Sequence, residues 1–313
     1  MEMPPTGSID PVADGVIRVV APNPSPMTAS GTATYVVGAG ADRAVIDPGP
    51  DAPEHRDAIL SAAEGAAIRA ILVTHPHLDH TAGTAALVAA TDAPVHAFGR
   101  FDAGRSAAMT DLPDLGGGEG ADRGFVPDEV LADGDVVAGD GWALRALHTP
   151  GHMGPHLSFH WPDRGLAFTG DVAMGWASTL ISPPDGDVTA FLSSLDRLRA
   201  LDARLLLPGH GPAITAPTGR LDALRDHRIA REAAIRRALT PDGVTIPELV
   251  ASVYDDVPDA LRPMAARNVL AHLIRLVERG EAATDRIAPG GIFRTSPLRG
   301  ADGGAKPRPG DPA

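Results

Sequence analysis

The sequence predicts a large α/β or α+β domain followed by a small helical module, and three observations carry that expectation. Over the first two hundred residues, short β-branched runs alternate with helical stretches, the mixed order found in α/β and α+β folds. From residue 220 the texture changes to long helical segments rich in Ala and Arg. The charge changes at the same place: residues 1–219 hold 12 Arg against 27 Asp and Glu, whereas residues 220–299 hold 13 Arg against 11. These shifts divide the chain into a main domain at 1–219, a linker helix plus small module at 220–295, and a Pro/Gly-rich tail at 296–313 that is expected to be disordered.

The elements follow in order. "GVIRVVA" at 15–21, "ATYVVG" at 33–38 and "RAVIDPG" at 43–49 are β-branched runs bounded by Pro and Gly, and read as strands. "APEHRDAILSAAEG" at 52–65 reads as a helix, with Ile59 and Leu60 on its apolar side and Gly65 as its stop. "IRAILVTH" at 68–75 is a buried strand, and "DHTAGTAALVAAT" at 79–91 a helix with Asp79 as N-cap. A short strand at 94–98 precedes a Gly-rich loop at 99–124. Strands resume at 142–149, 156–161 and 165–171; a loop at 172–186, a helix at 187–200 and a strand at 204–207 complete the domain. Beyond it, 220–239 reads as one long helix and 240–254 as a capped turn into a short helix. The segment 259–280 reads as a helix, or two broken at Pro263, and 280–295 as a hairpin. Three helices and a hairpin in this order fit a winged-helix shape.

Composition removes several function classes. No apolar run reaches the roughly 18 residues a membrane span needs, and the N-terminus has neither the basic nor the apolar region of a secretory signal. A cytoplasmic location is therefore expected. The chain has no cysteine, which excludes disulfides, a thiolate nucleophile and any Cys-ligated metal. A metal here must be held by His and carboxylate. The net charge of −13 disfavours polyanionic partners unless bound cations offset it locally.

The chemistry concentrates in "ILVTHPHLDHTAG" at 71–83, which holds three of the twelve histidines. On an extended segment residues i and i+2 point the same way, so His75 and His77 can reach one ion, and Pro76 favours the extended geometry just before it. Asp79 and His80 follow one turn later and can address a second point. Three further apolar strands end in a Gly-containing turn and then a metal-competent side chain: His152 in "HTPGH", Asp171 in "FTGD" and His210 in "LLLPGHG". Glycine permits the tight turn and close packing such ends require. Five His and two Asp suit two divalent ions sharing one carboxylate, zinc foremost, with iron or manganese as alternatives.

"THPHLDH", "TPGH", "TGD" and "PGHG", in that order, resemble the motif set of the metallo-β-lactamase superfamily over about residues 15–215. The resemblance implies a four-layer αβ/βα sandwich with metals at one edge of the paired sheets. It implies that His75, His77 and His152 hold the first metal, that Asp79, His80 and His210 hold the second, and that Asp171 bridges them. Asp79 would also orient the bridging hydroxide and so counts as catalytic. Asp171 points to glyoxalase II-like hydrolases and nucleases, because true β-lactamases of this fold lack that carboxylate. "SPPDGDVTAFLSSLDRL", "DHRIAREAAI" and the winged-helix-like segment further resemble the β-lactamase-like protein 2 branch, to about residue 295. One animal member of that branch is understood as a single-strand-directed endoribonuclease, whereas most of its bacterial members are simply called metallohydrolases.

The expected function is a dinuclear metallohydrolase of an ester, thioester or phosphodiester. A single-stranded-RNA endonuclease and an iron-dependent sulfur dioxygenase of the same fold are the alternatives. The substrate is then a small ester or thioester, or single-stranded RNA. The C-terminal module is read as a dimerisation surface for a homodimer or as a wall of the active site. His156 and His160 share one face of a strand and are expected to support the site rather than ligate. His148 is read as a strand residue near the site; His55, His96, His227 and His272 are read as structural or solvent-facing. The loop at 172–186 is either a specificity wall with Trp176 as platform or an ordinary connection. The Arg-rich helix at 220–239 is read as a solvated face paired to Asp222, Asp226 and Glu232, in preference to a phosphate-binding surface.

Overall fold

The computed structural model describes residues 2–296 apart from 113, 114, 117, 119 and 256, so the tail at 297–313 lies outside the described residues. Strands β1 (Ile9–Ala13), β2 (Val16–Val20), β3 (Ala33–Val37) and β4 (Asp42–Ile46) form an antiparallel meander. Helix α1 (Pro53–Ala62) crosses to β5 (Ala67–Leu72), which lies parallel to β4. Two short helices, α2 (Leu78–Thr81) and α3 (Thr84–Thr91), lead to β6 (Val95–Ala97). After α4 (Ala107–Thr110), β7 (Glu129–Val130) closes a seven-stranded sheet in sequential order. The second sheet has the order β12-β11-β10-β9-β8. It holds β8 (Val136–Gly139), β9 (Trp142–His148), β10 (Leu157–Trp161) and β11 (Leu166–Gly170), then β12 (Leu205–Pro208) parallel to β11 after helix α5 (Val188–Ala200).

Period-two alternation decides which residues meet between the sheets. Tyr35, Val37, Ala44, Ile46 and Leu72 from the first sheet face Leu144, Phe159, Leu166, Phe168 and Leu207 from the second. The intervening residues face outward and are buried as well. Val36, Val45 and Ile71 pack under Ile59 of α1 and Leu87 of α3; Ala167 and Leu206 pack under Phe191 and Leu195 of α5. Strands buried on both faces are continuous apolar runs, which is why the sequence displays them so clearly. The result is the four-layer αβ/βα sandwich expected. Each fully buried Leu or Phe contributes about 1.5–3 kcal/mol.

The C-terminal part comprises α6 (Pro217–Ala238), β13 (Val244–Thr245), α7 (Ile246–Val253), α8 (Arg262–Glu278), β14 (Ala282–Thr284) and β15 (Ile292–Thr295), with sheet order β13-β15-β14. Leu249, Val269, Leu273 and Phe293 form its core, which Met109 and Leu115 of the main domain join. Helix α6 joins the two parts: Leu221 and Leu224 pack in the layer over the second sheet, whereas Ile235 packs in the C-terminal core. No helix of the described residues is long and apolar enough to cross a membrane.

The structure departs from the sequence reading where elements are short or exposed. β1 was not expected; it is an exposed edge strand, where Pro11 costs no ladder bond. β7, of two residues, and β8, of four, are likewise short and wholly or partly exposed. The helix expected at 79–91 is two, and Asp79 is not its N-cap: His77 holds that position, and Asp79 lies in the first turn. Pro263 sits in the first turn of α8 and starts that helix rather than breaking it. The arginines of α6 reach other elements: Arg225 pairs with Asp196 and Arg236 with Glu281. Asp222 and Glu232 are paired, but with Arg199 and Arg275 from outside the helix.

Candidate metal centre

The ends of β5, β9, β11 and β12 carry the seven predicted ligands to one place. His75, His77 and His152 bring ligand atoms within 4.8 Å of one another, as do His75, His80 and Asp171, and Asp79, His80 and His210. Two glycines make the approach possible. A Cβ on Gly209 would lie 2.5 Å from Asp171 Oδ1, and one on Gly170, at φ +46°, would lie 2.6 Å from His156 Nε2.

Hydrogen bonds on the far side of each ring set the tautomers. Thr74 donates its hydroxyl proton to Asp47 Oδ2 at 2.7 Å, so at 3.0 Å it accepts from His75 Nδ1–H. His152 Nδ1 donates to the Leu180 carbonyl at 2.8 Å, and His80 Nδ1 donates to Asp47 Oδ2 at 2.9 Å. His75 and His152 therefore turn an Nε2 lone pair inward, and His80 presents its Nε2 to the same point. His75 Nε2 and His152 Nε2 lie 3.0 and 3.1 Å from His77 Nδ1, and a single proton on His77 cannot serve both. His80 Nε2 and Asp171 Oδ1 are buried without any hydrogen-bond partner. Converging lone pairs and orphaned buried atoms are what a set of cation ligands looks like.

The electrostatics agree. Burial, then the neighbouring rings, hold His75 well below the ordinary imidazole range. Burial and then His152 hold His77 at about 3, and burial lowers His152 as well. These rings stay neutral and keep their lone pairs. At His80 and His210 burial acts in the same direction, but the carboxylates outweigh it. Asp79 and Asp47 raise His80 to about 9, and Asp171 and Asp79 raise His210 to about 10. Among the described residues the ion-pair partners of Asp47, Asp79 and Asp171 are all histidines, so this pocket demands positive charge.

Asp79 Oδ2 lies 3.3 Å from His210 Nε2 and accepts from Thr32 Oγ1 at 3.2 Å. His156 is buried, stacks on His75 at 5.1 Å between ring centres, and its Nε2 accepts the Asp171 N–H at 3.2 Å. It supports the site from behind, as expected. His160 lies on β10 and is half-buried. His148 stacks on Phe98 at 4.0 Å. His55 bonds Thr34, His272 bonds Glu232, and His96 packs beside Glu129.

Sequence reasoning missed Asp47. It takes the Thr74 N–H at 2.7 Å as well as Thr74 Oγ1 and His80 Nδ1, is 2% exposed, and has φ +53°, an uncommon backbone for a non-glycine residue. The available signal was an acid ending the apolar run "RAVID". The C-terminal part was read as a wall of the active site or a dimerisation surface, but the residues by which it holds the site were not named. Asn268 Oδ1 on α8 accepts the Ile181 N–H at 3.1 Å, Arg228 on α6 bonds Thr179 O, and Arg267 bonds Ser182 Oγ at 2.8 Å. Together they brace the loop whose Leu180 carbonyl orients His152. A cavity of about 590 Å³ opens over the ligands, walled by Met27, Leu78, Leu180, Pro263, Met264 and Arg267.

Residues 27–210, more than half of the 313, match the family model described as the metallo-beta-lactamase superfamily. The chain belongs to the metallo-beta-lactamase superfamily. Residues 245–288 match the beta-lactamase associated winged helix domain, as the order of C-terminal elements had suggested. The chain is 32% identical to a beta-lactamase-like protein 2 homolog of Drosophila melanogaster, over 88% of this chain and 92% of the relative. It is also 32% identical to an atrochrysone carboxyl ACP thioesterase of Aspergillus chevalieri, over 82% of this chain and 79% of that one. Among solved structures it resembles a metallo-beta-lactamase family protein of Thermus thermophilus, with TM-score 0.72, 24% identity, and coverage of 91% of this chain and 100% of that one. This member of the superfamily is thus a hydrolase-family enzyme with His and Asp groups able to hold metal ions.

Proposed function

We propose that the protein is a dinuclear metal-dependent hydrolase of small acyl esters or thioesters. The observation that carries this reading is the convergence of seven ligand side chains on the floor of a cavity with largely apolar walls. In this reading His75, His77 and His152 hold one ion, Asp79, His80 and His210 the other, and Asp171 lies between them. Divalent ions there, zinc foremost with iron or manganese as alternatives, supply Lewis acidity and bring water into its nucleophilic form near neutral pH. Asp79, facing the cavity, orients that water by accepting its hydrogen. Asp47, Thr74 and Leu180 hold the rings in the required tautomers. The walls exclude bulk water from the acyl carbon.

Two observations favour an acyl substrate over a long polyanion. The cavity's arginine, Arg267, is bonded to Ser182 Oγ and to the Leu115 and Pro183 carbonyls, and residues 1–219 carry a net charge of −15. The thioesterase name of one relative points the same way. The test is a hydrolysis panel on zinc- and manganese-loaded protein, spanning thioesters, lactones, phosphodiesters and single-stranded RNA, with Asp171→Ala as blank. Thioester or ester turnover that falls at least a hundredfold in Asp171→Ala is expected. RNA cleavage without acyl hydrolysis, oxygen consumption by the iron form alone, or equal turnover by Asp171→Ala would each overturn the reading.

A further inference from the structure

Beside the metal cavity lies a second chamber of about 310 Å³. The two share Met27, Leu180 and Met264 as a common lip. The far chamber is lined by apolar and aromatic side chains, chiefly Met174, Trp176, Tyr254 and Leu261. Trp142 and Trp161 are 3% and 2% exposed, whereas Trp176 is 37% exposed, so its ring is the tryptophan left available at this surface. Its size lies at the lower end of the range for small-molecule sites. Three methionines give it adaptable walls, and Trp and Tyr rings offer flat contact area.

Charge narrows the occupant. No carboxylate is among the described residues lining the chamber, whereas the guanidinium of Arg228 is. Arg228 is 2% exposed; it bonds Asn268 Oδ1 at 2.9 Å and Thr179 O, and its Nε has no hydrogen-bond partner. Such a chamber accepts a neutral or anionic apolar group and rejects a cation.

We propose that this chamber is the acyl subsite. It holds the bulky apolar acyl group of a thioester whose carbonyl lies over the metal centre, past the lip of Met27, Leu180 and Met264. The proposal rests on the acyl-hydrolase reading above. In the reaction water adds to the acyl carbon, the C–S bond breaks, the thiol leaves with a proton, and the carboxylic acid remains in the chamber. Trp176 and Leu261 then determine which acyl groups are admitted, so specificity is shared between the main domain and the winged-helix module.

The experiment uses the full metal-loaded chain and two thioesters of N-acetylcysteamine, 2-naphthoyl and acetyl, with 2-naphthoate as product probe in calorimetric titration. Leu261→Trp fills the chamber and Trp176→Ala removes its flat wall; melting curves confirm folding. The expected result is that the naphthoyl-to-acetyl ratio of kcat/KM falls at least tenfold in Leu261→Trp and severalfold in Trp176→Ala, with naphthoate affinity falling in parallel. An unchanged ratio with unchanged naphthoate affinity overturns the subsite while leaving the hydrolase reading standing. Should the wild type cleave neither thioester, the thioester subsite is overturned, and the hydrolase reading falls with it only if the esters and lactones of the panel above are not cleaved either. If Leu261→Trp does not fold, Trp176→Ala decides by the same two readouts.

Discussion

Replacing Asp47 by Asn separates the structural duty of this residue from its duty toward the metal site. Oδ1 of Asp47 accepts the Thr74 N–H, while Oδ2 accepts both Thr74 Oγ1–H and His80 Nδ1–H, all within 2.9 Å. Asn keeps the first bond through its carbonyl oxygen and tolerates the left-handed backbone at φ +53°. Its amide, however, is a donor where both neighbours donate. His80 must then give up its Nδ1 proton and carry one on Nε2, which closes the lone pair that faces Asp79 and Asp171. A comparable tautomer error in a catalytic triad costs about 10⁴ in rate, and loss of a group that orients a ligand costs about 10- to 100-fold in metal affinity. We therefore expect Asp47→Asn to lose no more than about 2 kcal/mol of stability, the magnitude of one frustrated buried bond. It should lose at least tenfold in affinity at the ion site of Asp79, His80 and His210. Asp47→Ala, which also strands the Thr74 N–H, should lose about 3–5 kcal/mol. Chelator competition with two resolved metal affinities, alongside calorimetric unfolding of the metal-free protein, measures both quantities. Unchanged affinity at both sites in a folded Asp47→Asn protein would refute the tautomer argument.

Two further outcomes follow from the same geometry. Asn268→Ala removes the acceptor for Ile181 N–H and Arg228 Nη1–H, so the loop behind His152 loosens; affinity at the His75, His77 and His152 group should fall about tenfold while the other site holds, as read by chelator competition. His55 is 2% exposed and donates to Thr34 Oγ1 at 2.8 Å; burial holds it at about 4, below the ordinary 6.5. Because the folded value is the lower one, its contribution is present above 6.5 and lost as pH falls toward 4, about 3 kcal/mol in all. NMR titration of the ring that gave a value near 6.5 would contradict this.

The sequence alone carried the chemistry. His75 to His80, His152, Asp171 and His210 were legible because each follows an apolar strand, the last three at a glycine turn, and strand periodicity is local. Strands β3, β4, β11 and β12 were legible for the same reason, and the short exposed edges β1, β7 and β8 were not, because nothing in their composition separates them from loop. Tertiary structure decided the rest. Asp47 looked like any acid at a turn until the sandwich set it behind both Thr74 and His80. Arg228, Arg267 and Asn268 read as ordinary polar residues of two helices, and only the docking of α6 and α8 against the 179–183 loop made them part of the metal site's support. The same docking placed Met264 and Leu261 across from Met27 and Trp176. Ligand type and spacing are written in consecutive residues, whereas tautomers depend on contacts between separate segments such as Asp47 with His80, and the cavity walls on segments as distant in the chain as Met27 and Met264, which meet only when the whole chain packs.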